Sequence, residues 1–202
     1  MQLTMTRLPT EARQAEIVAA ALCLAQNSSP ASITTTDLAG AVGVSQGALF
    51  KHFSSKEAIW LAVMAWVTEH LLRSLHEAAE HAPTPAEALR CVFDAHVRFV
   101  VSHPGVPRVI FHELQQPEES PLKQQVRGLM QGYRQLLMGL LQSSVQRGEA
   151  ASGLDTSAAA TLFMGIVQGL VMQSMLNGQI ASMQTQATNI FDLYLRGIRT
   201  PS

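Results

Sequence analysis

The sequence is poor in charge. Of its 202 residues, 14 are Lys or Arg and 15 are Asp or Glu, so charged side chains make up 14%. Soluble domains average roughly 25%. A formal net charge of −1 also lacks the basic surplus common among nucleic-acid-binding domains, and at first argues against that partner. Cysteine is scarcer still. Cys23 and Cys91 stand alone, too few for a disulfide scaffold or a four-thiolate zinc site. Disorder is excluded from the other side, because 47% hydrophobic residues suffice for a sizeable core. Met1 to Thr10 has one Arg and no apolar run, so it does not read as a secretory signal. A cytoplasmic, reduced protein is expected.

Catalytic and metal constellations are missing too. Seven histidines are present, but His70, His76 and His81 have no i,i+4 pair that would put two imidazoles on one metal. His112-Glu113 is not part of an HExxH motif. There is no nucleophile elbow, no glycine loop to cradle phosphate, and no supported Cys/His pair. Cys23 reads as a small buried hydrophobe, and nothing near Cys91 marks a reactive thiol. No enzyme, cofactor or metal site is expected.

What is present is helical periodicity. Runs rich in Ala, Leu, Gln, Met and Glu are punctuated by Pro and Gly, and strand-like alternation is nearly absent. The expected fold is all-α, with about nine helices and no internal repeat. The first spans about 11–26 and ends at Asn27-Ser28-Ser29-Pro30. Thr34 caps a short helix over 35–41, and Ser45 caps another reaching about His52. Ser55 starts a long helix to about His81. Thr84-Pro85 pairs a cap with proline at the first helical position, opening a helix to about Ser102. Helices then follow over about 106–115, 121–146, 155–176 and 182–196. The composition divides the chain into an N-terminal unit, 1–53, and a larger helical domain, 54–202.

The informative segment is TTTDLAGAVGVSQGALFKHFSSK, Thr34 to Lys56. Leu38, Val42, Val44 and Leu49 are spaced to share one small core across two short helices. Ala39 falls where the helices cross, and a larger side chain there would push them apart. Gly43 takes the turn, where a positive φ is cheap only for glycine. Two short helices crossing at a tight glycine turn make a helix-turn-helix, whose second helix enters a DNA major groove by its N-terminal end. Lys51, His52 and Lys56 cluster where that helix ends.

Over about residues 11–59 the chain resembles the TetR family of bacterial transcriptional regulators. The residues carrying the likeness are Leu38-Ala39, Val42-Gly43-Val44-Ser45, Gly47, Leu49-Phe50, His52-Phe53, Lys56 and Ile59. Val42 replaces the family's usual Ala, and Phe50 its usual Tyr. The resemblance implies a DNA-binding set. Thr34 would place its hydroxyl and backbone N–H on a phosphate at a helix N-terminus. Thr36 would touch base or phosphate. Ser45 and Gln46 would open the recognition helix, with Gln46 suited to adenine N6 and N7. Gly47 costs about 1 kcal/mol of helix propensity, explained by close approach to DNA or by simple tolerance. Ala48 offers a methyl contact. Phe50, lacking the hydroxyl, packs on sugar or on the turn. Lys51 reaches guanine or phosphate, and His52 and Lys56 position phosphates. Arg7 lies on an arm that either reaches a minor groove or is a solvated tail.

The charge deficit has an address. Between Asp155 and Asp192 there is no Asp, Glu, Lys or Arg. The apolar run 158–176 is long enough to be weighed as a membrane span, but it lacks flanking Lys/Arg asymmetry. It reads instead as a helix buried all round. A homodimer through helices at about 155–176 and 182–196 would bury it, with Ala158, Ala159, Gly165 and Gly169 allowing close approach. The alternative is a central core helix covered by its own chain. The resemblance implies a pocket for a small, mostly apolar effector, with Trp66, Phe93, His96, Phe111, Met130, Tyr133, Met138, Phe163, Met164, Gln168 and Met172 as lining candidates. The expected function is a sequence-specific regulator, a repressor released from a palindromic double-stranded DNA operator by that effector. The competing reading is a dimeric DNA-binding protein that organises chromosomes or serves interactions without small-molecule control.

Overall fold

The structure is a computed structural model and describes residues 9–199. Among the described residues there are nine helices and no strand: α1 Thr10–Leu24, α2 Thr35–Ala41, α3 Gln46–Leu49, α4 Lys56–Glu80, α5 Pro85–Ser102, α6 Gly105–Leu114, α7 Pro121–Gln146, α8 Thr156–Leu176 and α9 Ser182–Ile198. The starts follow the chemistry of orphan N–H groups. Side chains of Thr34, Ser45, Thr84 and Asp155 each accept a hydrogen bond from the backbone three residues on. The Ser55 hydroxyl does the same at the start of α4, accepting from Ala58 N–H at 3.0 Å. Gly43, Gly148 and Gly178 turn the chain at φ of 67°, 72° and 65°, which side chains with a Cβ adopt only with strain.

The chain packs as two compact units. Among the described residues, one comprises 9–67 with 105–125, and the other 68–104 with 126–199. The larger helical region therefore does not begin at residue 54 as a packing unit. The first twelve residues of α4, Lys56–Val67, and all of α6 belong with the N-terminal helices.

In the first unit, Ile17, Val18, Ala21 and Leu22 of α1, Leu38 and Ala39 of α2, Leu49 of α3, and Ile59, Trp60, Val63 and Met64 of α4 are all buried. Each large member contributes about 1.5–3 kcal/mol by leaving water. Val42 and Val44 are only half-buried, so the small core rests on Leu38 and Leu49 more than the four-residue spacing suggested. Cys23 is exposed rather than buried, because it lies on the outer side of α1. Gly105 begins α6 hard against α1: a Cβ there would lie 2.2 Å from the Leu22 carbonyl oxygen. Arg108 Nε donates to the Gln26 carbonyl at 2.9 Å, tying α6 to the chain just beyond α1.

In the second unit, α5, α7, α8 and α9 meet in an aromatic cluster. Phe93 and Phe191 have ring centroids 4.9 Å apart, and Phe163 stands edge-on to Phe93 at 5.6 Å and to Tyr194 at 5.4 Å. Edge-to-face arrangements of this kind add to simple area burial. The Tyr194 hydroxyl donates to Ala159 O at 3.1 Å, and Arg90 lies 4.9 Å over the Phe191 ring while its Nη2 pairs with Asp192.

Within its own chain helix α8 is covered on one side only. Ala159, Ala160, Phe163, Val167, Leu170, Val171 and Ser174 are buried. The opposite stripe, Ala158, Leu162, Gly165, Gly169, Met172 and Leu176, is exposed. Leu162 keeps 56%, Met172 46% and Leu176 73% of its surface open, and Leu193 on α9 keeps 62%. By length and composition α8 could cross a membrane, yet one side of it is packed within this unit.

Candidate DNA-binding surface

The surface is built by α2, the Gly43 turn and α3. The turn closes with Val44 N–H donating to Ala39 O at 2.9 Å, directly after the glycine that permits it. Helix α3 is a single turn, shorter than the expected Ser45–His52. Beyond Leu49 the chain tightens, with Lys51 N–H bonded to Ala48 O and His52 N–H to Leu49 O, the three-residue pattern typical of a closing helix end. From α1, Gln14 Nε2 donates to the His52 carbonyl at 2.8 Å, which pins that end.

With Leu38, Ala39 and Leu49 buried behind, Thr34, Thr36, Ser45, Gln46, Gly47, Phe50 and Lys51 are exposed, and Ala48, His52 and Lys56 are half-buried. Phe50 keeps 43% of its surface open, an apolar ring with no core to enter. The Ser45 hydroxyl accepts from Ala48 N–H at 3.2 Å and retains its own proton for donation outward. Lys56 Nζ donates to Ala31 O at 3.0 Å, which leaves further N–H groups of the ammonium. A Cβ on Gly47 would meet nothing within 4 Å. The protein's own packing therefore does not require glycine there.

Two placements differ from expectation, those of Thr34 and His52. Thr34 has no free donor. Its hydroxyl donates to Asp37 Oδ2 at 2.7 Å, its N–H donates to the same oxygen at 2.8 Å, and Asp37 N–H returns to Thr34 Oγ1 at 3.1 Å. This reciprocal cap stabilises α2 and holds the Asp37 carboxyl below its usual range, chiefly through the Thr34 side-chain bond. It spends the groups that sequence resemblance assigned to a phosphate. His52 has its Nδ1 buried without a hydrogen-bond partner, so only its other ring nitrogen can face DNA. Arg13 pairs with Glu16 at 2.7 Å and donates to Val42 O at 3.4 Å, a structural use. Arg7 lies outside the described residues. A contact not foreseen is Gln46 Nε2 donating to Thr35 Oγ1 at 2.6 Å. Only folding brings together two polar side chains eleven positions apart.

The effector candidates separate by unit. Trp66 and Phe111 belong to the first unit. In the second, Phe93, Tyr133 and Phe163 are fully buried, and Met130, Met138 and Met164 half-buried. Gln168 and Met172 lie on the exposed side of α8. His96 Nδ1 sits 3.1 Å from the Tyr133 hydroxyl. Desolvation pushes His96 down to about 4 and Tyr133 well above its usual value, so both are neutral near pH 7. The pair is a polar point in an apolar interior. Among the described residues no group of three or more His, Cys, Asp or Glu could hold a metal ion.

A buried support beneath an exposed, one-turn recognition element defines a helix-turn-helix DNA-binding protein. Comparison with known proteins takes this further. Residues 17–63 match the family model described as "Bacterial regulatory proteins, tetR family", and residues 67–197 match "YsiA-like protein, C-terminal region". The chain belongs to the tetR family of bacterial regulatory proteins, and it is a DNA-binding transcriptional regulator. It is 25% identical over 161 residues to the fatty acid metabolism regulator protein of Bacillus subtilis (strain 168), covering 80% of this chain and 82% of that one. It is 27% identical over 154 residues to the nucleoid occlusion factor SlmA of Shewanella oneidensis, covering 75% and 78%. In fold it is similar to the crystal structure of FadR from Bacillus subtilis in complex with stearoyl-CoA. That match has a TM-score of 0.80 and 23% identity, over 92% of this chain and 99% of that one.

Proposed function

We propose that this regulator is a repressor that binds a palindromic operator as a homodimer and leaves it when a largely apolar effector occupies the second unit. The carrying observation is the one-sided recognition turn: Ser45, Gln46, Gly47 and Lys51 are exposed above buried Leu38, Ala39 and Leu49. DNA-contacting roles are proposed for these four with Thr36, Ala48, Phe50, His52 and Lys56. Thr34 contributes by capping α2.

The exposed stripe of α8 supports the dimer. Ala158, Leu162, Gly165, Gly169, Met172 and Leu176 recur every three or four residues with no charge among them. Pairing α8 and α9 of two copies as a four-helix bundle would cover the stripe. A two-fold dimer holds two recognition elements about one DNA turn apart. Gln168 and Met172 fit this interface better than a pocket wall.

A relative named as a fatty acid metabolism regulator and a neighbour complexed with stearoyl-CoA make a long-chain acyl-CoA the first effector to test. Phe93, Phe163, Met130 and Met164 would face the chain, with His96 and Tyr133 as the polar point. Release requires that the effector bind the DNA-free form better, because equal affinity shifts nothing. The test is an operator selected from random DNA, followed by fluorescence anisotropy with stearoyl-CoA added. Specific, salt-sensitive binding and its loss on titration are expected. Absence of specific binding would remove the regulator mechanism. The likeness to a nucleoid occlusion factor keeps chromosome organisation as the second reading. It would be favoured by specific binding at dispersed sites that no acyl-CoA weakens.

A further inference from the structure

We infer that Thr35 is a specificity-setting residue: by holding the Gln46 amide it determines which base edge Gln46 accepts. The inference rests on the proposal above that Gln46 faces bases.

The two ends of a glutamine amide are nearly isosteric, and only the partners of Nε2 and Oε1 distinguish them. Here Nε2 donates to Thr35 Oγ1 at 2.6 Å. One N–H and the carbonyl oxygen remain for DNA. Adenine N7 accepts the N–H, and adenine N6–H donates to Oε1. Guanine places O6 where adenine has N6–H, which sets two acceptors against each other. An untethered amide escapes that conflict by turning both Nε2 N–H groups to the base, one donating to N7 and the other to O6, with Oε1 turned away. Tethering removes the escape.

Both anchor points are well held. Thr35 is the first residue of α2, directly after the Thr34–Asp37 reciprocal cap. Gln46 is the first residue of α3, directly after the Ser45 cap. Val44 N–H bonded to Ala39 O fixes the turn between them. Thr35 is half-buried and Gln46 exposed, so the bond runs from scaffold to reading surface. Thr35 is therefore a positioning residue, acting through Gln46 without touching a base itself.

The experiment uses the full chain and a randomised duplex library to obtain base preferences position by position. Wild type should show one adenine-preferring position per half-site, and Gln46→Ala should erase it. Thr35→Val keeps the shape but cannot hydrogen-bond. It should lower the adenine-to-guanine ratio at that position by about fivefold or more, leaving preferences elsewhere unchanged. Thr35→Ser should restore the ratio, and Thr35→Ala serves if the valine variant does not fold. If Gln46→Ala erases the preference but neither Thr35→Val nor Thr35→Ala alters it, the inference is overturned and the reading of Gln46 stands. Affinity lost equally for every sequence likewise overturns it, because a purely structural residue behaves so. If no position depends on Gln46, both the reading and the inference fall.

Discussion

At the scale of single residues, burial decides protonation and free space decides tolerance. His96 has its folded-state value pushed down to about 4 by desolvation, against an ordinary 6.5. The unfolded chain therefore binds the extra proton between those values. Stability from His96 is full above about pH 6.5 and is lost as pH falls toward 4, by about 2 kcal/mol at pH 5. Urea unfolding at pH 7 and pH 5 should show that loss, and His96→Gln should reduce the difference by a similar amount. Gly47 is the complementary case. A methyl added there would stand in open space, so Gly47→Ala should leave stability unchanged or raise it by up to about 1 kcal/mol of helix propensity, read by thermal unfolding. It should also weaken operator binding about tenfold, the cost of forcing a methyl into a packed contact. Unchanged binding would mean that DNA does not approach there.

Among the helices, the joint between α1 and α6 is the sharpest constraint. A Cβ at position 105 would lie 2.2 Å from the Leu22 carbonyl oxygen, and backbone cannot rotate aside as a side chain can. Gly105→Ala should destabilise the chain by about 1–3 kcal/mol, read by chemical denaturation. Gly128→Ala, at an open position of α7, should instead be neutral or stabilising by up to about 1 kcal/mol. This joint was not legible beforehand. Gly105 follows His103-Pro104 and reads as a helix stop, because its close neighbour stands 83 positions earlier in the chain. Caps were legible, since Thr34, Ser45, Thr84 and Asp155 act within three residues of themselves. The length of α3 was not. Helix propensity alone extends it to His52, whereas the bonds from Lys51 and His52 close it early.

For the whole molecule, the proposed dimer rests on the apolar stripe and the proposed DNA contact on sparse charge. Leu162→Glu or Leu176→Glu places a charge that must be buried if α8 pairs with itself. Light scattering should report a monomer, and operator binding should fall with it. A dimer that persists would place the interface elsewhere. Lys51 and Lys56 are the two lysines at the recognition surface of each protomer. Four phosphates neutralised by a dimer give a slope of about −4 in log affinity against log salt. The near-neutral composition thus predicts modest salt dependence and does not exclude DNA.

The sequence by itself determined the helices, their caps, the glycine turn and the helix-turn-helix, because each depends on residues a few positions apart. It also showed that 156–191 carries no charge. Tertiary structure decided which side of α8 is covered, that Thr34 spends its donors on Asp37, and that Gln46 is held by Thr35. Composition counts apolar residues around a helix without saying which of them find partners. A side chain's hydrogen bonds, likewise, are settled only when folding brings competing acceptors within reach.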